Sequence, residues 1–514
     1  MIKIILSNLI TLALLHSVIV SAQQHPSGQK EWRMAGFSLL FNENCAVCHG
    51  ENLKGAAQGP ALIGKPLING DDMDSLVASI SKGNSAKGMP AWSGILSKLQ
   101  INNLALYIAE RRSGLTYTDF NIDNTLLINQ DPIQTQHHTI KLQTVITDLD
   151  PLPFSIEPLP DGRILLTEKM RGLSIISKDG KQSALIKGTP KVYSDTGTPD
   201  VGLLNGLGWL LDVAIHPDYL NNGWVYLHYG DRCSDCNKVS RENKLPVSMN
   251  KIVRGRINNG QWIDQQVIWQ ASLEHYGMIP DTAAGGRLSF DQQGHLFFSV
   301  GLKGNDNHTG VQDLTTPWGK IHRVNDDGSI PEDNPFTKSP KALKSIWAYG
   351  FRSPQGLEFN TRTNELWVTD MGPRGGDEVN LIFPGKNYGW PLYSKGVNYD
   401  STPVEYGKKL GIDFKMADIE QPIVDLTPSP AVSSFIIYQD KHFPKWNNHL
   451  IVGSLKARKL YRMKIEDGVL IENEVLIENL ARIRDIEIAN SGEILLLLEH
   501  GSGGQILKIT STSY

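Results

Sequence analysis

The chain has 514 residues, of which 40% are hydrophobic and 20% charged, and its formal net charge is -4. That length exceeds one ordinary domain, so two or three are expected. The balanced charge and the lack of a basic run argue against nucleic acid as a partner, and after the N-terminal segment no stretch is apolar enough to span a bilayer.

The N-terminus reads as a secretory signal. Lys3 supplies a positive start, residues 4–20 are mostly apolar, and Val20-Ser21-Ala22 is a small-residue cleavage site. His16 interrupts the apolar run, which favours cleavage after Ala22 over a retained anchor. The expected location is therefore periplasmic or otherwise exported, with no membrane span left after cleavage.

Cys45-Ala46-Val47-Cys48-His49 follows. Cys-x-x-Cys-His is the attachment pattern of a c-type haem. Two thiols at this spacing can add to the two vinyl groups of one porphyrin, and the next imidazole falls under the iron. Met89, in Lys87-Gly88-Met89-Pro90, is the expected sixth ligand, since a thioether on a Gly/Pro-shaped loop can be held against the opposite haem face. His/Met ligation raises the reduction potential, as an electron acceptor requires. The competing readings are a chance cysteine pair or zinc site, and for Met89 a core methionine.

Around this motif the pattern is helical. Trp32 to Phe41 is apolar-periodic, Ser97 and Gln100 have capping-box spacing, and Ile101, Leu104, Ala105 and Ile108 share one face. Arg111 and Arg112 close that helix, favourably for its dipole. Residues 31–112 resemble a class I cytochrome c. Residues 113–140 lack a sustained period and read as a linker, partly strand at its end.

From 141 to 514 one unit recurs, a polar turn followed by an apolar strand. It stands at Asp161–Glu168, Asn222–Leu227, Gln293–Val300, Asn364–Asp370, Asn448–Gly453 and Ser491–Leu497, each time after another short apolar run. Six copies predict a mainly β fold, a six-bladed β-propeller, preceded by the small all-α domain. A sandwich or barrel would not need six related copies. Cys233 and Cys236 are expected to form a short-loop disulfide in an oxidising compartment; a redox-active pair or half a metal site is the alternative.

A propeller places its ligand on the axis, over the loops joining strands. Arg352, Lys456, Arg482 and Arg484 are the cations at strand ends or shaped turns. Converging cations suit a planar polycarboxylate, because arginine pairs carboxylates bidentately. The segments Gly350-Phe351-Arg352-Ser353-Pro354-Gln355-Gly356, Met371-Gly372-Pro373, Asp377-Glu378-Val379-Asn380-Leu381, Asn387-Tyr388-Gly389-Trp390-Pro391, Ser454-Leu455-Lys456 and Arg482-Ile483-Arg484-Asp485 follow in order. These resemble the soluble glucose/sorbosone (aldose sugar) dehydrogenase family, whose propellers carry pyrroloquinoline quinone (PQQ) and calcium. The resemblance implies that Arg352, Lys456, Arg482 and Arg484 hold PQQ and that the carbonyls of Gly372 and Pro373 bind the calcium, with Glu378 and Tyr388 as structural contacts.

The sequence also departs from that family. Its general base is a histidine four residues before the arginine of Gly-Arg-Leu, and here Ala283 stands there. A sugar hydroxyl needs a base as hydride leaves, and Asp281 and His275 are the nearest substitutes. Leu207 or Asn205 stands where a glutamine is expected, and Leu302 replaces an aspartate. His216 reads as a structural turn residue.

The expected function is a quinohaemoprotein that oxidises an aldose or alcohol at PQQ and passes electrons to its own haem c, then to a cytochrome or terminal oxidase. Tethering the haem domain gives it a high effective concentration. The alternative is a carbohydrate- or partner-binding propeller with an electron-transfer cytochrome.

Overall fold

The computed structural model describes residues 37–115, 122–195, 206–304, 308 and 310–512. The expected signal segment, residues 32–36 of the expected first helix and Asn205 lie outside them.

The helical domain holds a helix over 37–44, the single turn α1 (Ala46–His49), α2 (Met73–Lys82) and α3 (Lys98–Ser113). Asp72 caps α2 by accepting from Ser75 N. Ser97 and Gln100 form the expected capping box, and Gly114 ends α3 in the left-handed region. Arg112 does more than face a dipole: it donates to the carbonyls of Leu62 and Lys65 and pairs with Asp71. The expected face of α3 is buried, but so are Asn103, Leu106, Tyr107 and Glu110. One face packs on the domain's own core, with Phe37, Phe41, Leu53, Leu76 and Ile80. Asn103, Leu106 and Glu110 meet the propeller.

The rest is a six-bladed propeller. All six recurrent units are the second strand of a blade, reached by a hairpin from the inner strand. Four of these connections hold a glycine at positive φ, Gly162, Gly223, Gly294 and Gly492 at 85°, 67°, 83° and 90°, and the other two hold Asn364 and Asn448 at 59° and 66°, which is why a turn residue precedes each strand. Inner strands Pro153–Pro158, Leu210–Ile215, Gly285–Phe290, Pro354–Asn360, Val432–Ile437 and Arg482–Ile488 pack in succession, and the last returns to the first.

The sixth blade is completed from the other end of the domain. Thr139–Leu149 pairs with Gly504–Ser511, and Ile133–Gln134 adds outside it. Much of the expected linker is therefore propeller. Gly501 N donates to Ile122 O, and Asn124 Nδ2 donates to Leu480 O at 3.1 Å. From Ile122 onward the chain is fastened to the propeller. Cys233 and Cys236 are disulfide-bonded.

Candidate functional site

Inner strands begin, and second strands end, at one end of the propeller. The site residues gather there. Arg482 and Arg484 sit two apart on one inner strand, with a β-bulge at Arg484, and their side chains converge. Both guanidiniums donate to Glu499, the last residue of the adjacent strand Ile494–Glu499: Arg482 Nε to Oε2 at 2.8 Å, Arg484 Nε to Oε1 at 2.8 Å. Lys169 reaches the same carboxylate from the first blade, its Nζ 2.5 Å from Oε1. Three buried cations thus share one anion.

The electrostatics follow. Burial pushes the Lys169 ammonium down to about 7, with Arg484 adding to the effect and Glu499 opposing it. Burial alone would raise Glu499, but Arg484, Lys169 and Arg482 hold it well below the usual carboxylate range. Arg482 NH1 is buried and has no hydrogen-bond partner among the described residues. A donor in that state calls for an acceptor from outside. Beneath the cations lies the ring of Phe154, with the Arg287, Arg484 and Lys169 charges 4.7, 5.7 and 5.8 Å from its centre. Arg287 bonds Asp485 at 2.7 Å and the carbonyl of Arg484 at 2.9 Å, fixing the Arg482–Ile488 strand from the third blade.

The Met371–Asp377 segment forms another part of this end. Gly372 N donates to Asp377 Oδ1 at 2.9 Å, and Val432 N donates to Oδ2 at 2.8 Å. Burial raises the Asp377 pKa, and Lys456 acts against it. A side chain at Gly372 would come within 2.4 Å of the carbonyl oxygens of Gly375 and Gly376, so the turn closes only on glycine. Arg352 NH1 donates to the carbonyls of Met371 and Gly372 at 3.0 and 2.9 Å. The Gly372 oxygen expected to face a metal therefore already accepts from a guanidinium, with one lone pair left. Among the described residues no three His, Cys, Asp or Glu side chains cluster as metal ligands.

The two base candidates stand at this end too, but neither touches the Glu499 cluster. Asp281 is fully buried between the second and third blades. It accepts from Gly208 N, Trp209 N and Ser248 Oγ at 2.7–2.9 Å and pairs with Lys303 at 2.6 Å. With both oxygens committed and no exposure, it has neither the room nor the free lone pair that a base for an incoming hydroxyl needs. Its expected catalytic role is corrected to a structural one. His275 is half-buried, edge-on to Trp318 at 5.6 Å, and burial lowers its pKa. His308 stacks on Tyr406 at 3.8 Å and lies near Trp390, over which the Arg352 guanidinium sits at 5.5 Å. His216 lies at the opposite end, in a hairpin turn, where its Nδ1 accepts from Asp218 N. Tyr388 is structural: its hydroxyl donates to Leu381 O and accepts from Phe383 N.

In the helical domain Cys45 precedes α1, and Cys48 and His49 lie in it. Burial raises the Cys45 thiol to about 11. His49 Nδ1 meets Pro60 O at 2.8 Å; a carbonyl can only accept, so Nδ1 carries the proton and Nε2 is left as a ligand atom. Met89 stands in a tight loop in which Asn84 N donates to Met89 O and Met89 N to Asn84 O. Gly83 packs so closely on Pro90 that it has no room for a side chain.

Comparison with known proteins finds matches for both parts of the chain. The glucose/sorbosone dehydrogenase family model matches residues 151–508. The chain belongs to the glucose/sorbosone dehydrogenase family. Residues 35–108 match the model of cytochrome c oxidase, cbb3-type, subunit III, so a cytochrome c-type domain is fused to the dehydrogenase fold. The chain is 32% identical over 376 residues to the aldose sugar dehydrogenase YliI of Escherichia coli, covering 72% of this chain and 93% of that one. The apo-form crystal structure of the soluble aldose sugar dehydrogenase from Escherichia coli superposes with a TM-score of 0.61 at 30% identity, over 73% of this chain and 100% of that one. The PQQ-bound aldose sugar dehydrogenase from Streptomyces coelicolor shares the fold, with a TM-score of 0.54 at 21% identity over 74% and 99% of the chains.

Lys169, Glu499, Phe154 and His308 were not singled out from sequence. For two of them a signal was present. Acidic residues end the second strand in three blades, at Glu168, Asp370 and Glu499. Lys169 follows its second strand much as Lys456 does.

Proposed function

We propose that this chain is an exported quinohaemoprotein oxidoreductase that oxidises an aldose or alcohol hydroxyl at PQQ and passes the electrons to its own c-type haem. The observation that carries the reading is the shared carboxylate of Glu499 with its three cations, one of which keeps an unpartnered donor. A carbohydrate-binding site would not need that excess of buried positive charge. When bound, PQQ supplies the two-electron acceptor, calcium polarises it, and the haem takes electrons one at a time.

The protein's own groups then have distinct tasks. Arg482, Arg484 and Lys169 would hold carboxylates of the cofactor, and Lys456 and Arg352 add charge from the fifth and fourth blades. The remaining lone pair of Gly372 O and the carbonyl of Pro373 are the oxygen donors for a hard cation. Phe154 excludes water beneath the cations, which strengthens each ion pair. The hydroxyl proton goes to an imidazole at this end, His275 or His308, since Asp281 is committed. In the helical domain Cys45 and Cys48 attach the haem, and His49 Nε2 and Met89 ligate it.

The test is a binding titration of PQQ with calcium on the haem-loaded protein, compared with Arg482→Ala and Lys456→Ala. Tight binding lost in both variants supports the reading. Undiminished binding in both removes the cation cradle from it.

A further inference from the structure

The helical domain does not hang from its tether. Glu110 of α3 takes a bidentate ion pair from Arg374: Nε to Oε1 at 2.8 Å and NH2 to Oε2 at 2.7 Å, both side chains buried. The face of the Arg374 guanidinium lies 3.8 Å from the centre of the Phe37 ring, also in the helical domain. Around this pair, Asn103 Nδ2 donates to Ser401 O at 3.3 Å, and Leu106 meets Gly375 with only van der Waals room for a Cβ. Val397 of the propeller packs into the helical domain's apolar core. Arg374 is itself fixed, exchanging backbone hydrogen bonds with Val397 at 2.9 and 3.1 Å. It directly follows Pro373, so the clamp acts on the segment that ends the cofactor end of the propeller.

The tether is short as well. α3 ends at Ser113, and the chain is fastened to the sixth blade from Ile122. A domain held by a buried, bidentate ion pair and an apolar seam is fixed in position. Opening it would separate the two charges and expose Leu106, Phe37 and Val397 together.

We propose that the cytochrome domain works from this one docked pose, with Glu110 and Arg374 as the positioning residues that hold it beside Gly372 and Pro373. The proposal rests on the reading that electrons pass from propeller to haem. Each turnover takes two electrons and two protons from a substrate C–H and O–H. The electrons cross the 371–376 seam singly, and an external one-electron oxidant, ferricyanide in the test, reoxidises the haem iron between crossings.

The experiment uses the full chain with haem attached. Hydrogen exchange is followed over 98–113 and 371–376 without PQQ; with PQQ and calcium, the rate of haem reduction by an aldose is followed in a single mixing, and steady turnover with ferricyanide gives the substrate KM. Three forms are compared: wild type, Glu110→Gln, and wild type carrying eight Gly/Ser residues inserted between 117 and 118. The docked pose predicts that both segments are protected together in wild type and lose protection together in Glu110→Gln. It also predicts that Glu110→Gln slows haem reduction at least tenfold at unchanged substrate KM, and that the insertion changes the rate less than twofold. Unchanged haem reduction in Glu110→Gln, or a rate that falls with the insertion as a swinging tether requires, overturns it. If no substrate reduces the wild-type haem although both segments are protected, the electron-transfer reading has failed and takes the proposal with it; failure of the docked pose alone leaves wild-type haem reduction intact.

Discussion

Lys169 and Glu499 lie 2.5 Å apart although 330 residues separate them in the chain. The contact joins the first blade to the last, and it places a third cation on a carboxylate already used by Arg482 and Arg484. Of the three, only the lysine can lose its proton near neutrality, since burial brings its pKa to about 7.

Affinity for an anionic cofactor should therefore depend on pH. Below about 7 Lys169 is charged and adds to the cradle; above it the ammonium is lost and binding weakens. PQQ titrations from pH 6 to 9 should show this fall, and Lys169→Met should bind more weakly at pH 6 and lose most of the slope. A wild-type affinity flat over that range would contradict the assignment.

Asp281→Asn separates a structural role from a catalytic one. The change leaves Lys303 buried without its counter-charge, a loss of about 3–5 kcal/mol for a broken buried pair. The denaturant midpoint should fall accordingly, while turnover per folded molecule stays within about twofold of wild type. A general base would show the reverse, a large loss of turnover at unchanged stability.

Glu378 gives a stability signature. Burial raises its carboxyl to about 8, with Asp370 adding to the shift. Its folded pKa lies above the unfolded value, so its contribution is fully present below about 4.5 and is lost as pH rises through 8. Glu378→Gln, which mimics the neutral acid and keeps an acceptor for Asn380, should match wild type at pH 4 and exceed its melting temperature at pH 9.

Met89→Ala should lower the haem reduction potential, because loss of a thioether ligand removes a stabiliser of ferrous iron. Redox titration of the haem band reads this directly. An unchanged potential would mean that another side chain holds the sixth position.

Much of this was legible before any coordinates. The six polar-turn-and-strand units are visible because a glycine or asparagine turn and a buried strand repeat together, and Cys45–His49 is legible because haem attachment needs that spacing. Arg482 and Arg484 stand out as a pair on one side of a strand. What escaped were relationships set by closure of the ring. Lys169 looks like an ordinary strand-end charge until the last blade brings Glu499 to it. Glu110 sits in a helix whose expected buried face points elsewhere, and only the docked propeller explains its burial. Asp281 lay near the missing histidine in sequence, yet the backbone of Gly208 and Trp209 had already claimed its oxygens.

The most direct measurement follows the haem absorption band of the purified, haem-loaded protein while calcium, PQQ and then a panel of aldoses and alcohols are added. The account predicts that the band shifts to the reduced form only when cofactor, calcium and a substrate are all present. A haem that stays oxidised with PQQ demonstrably bound, for every substrate tried, would contradict it.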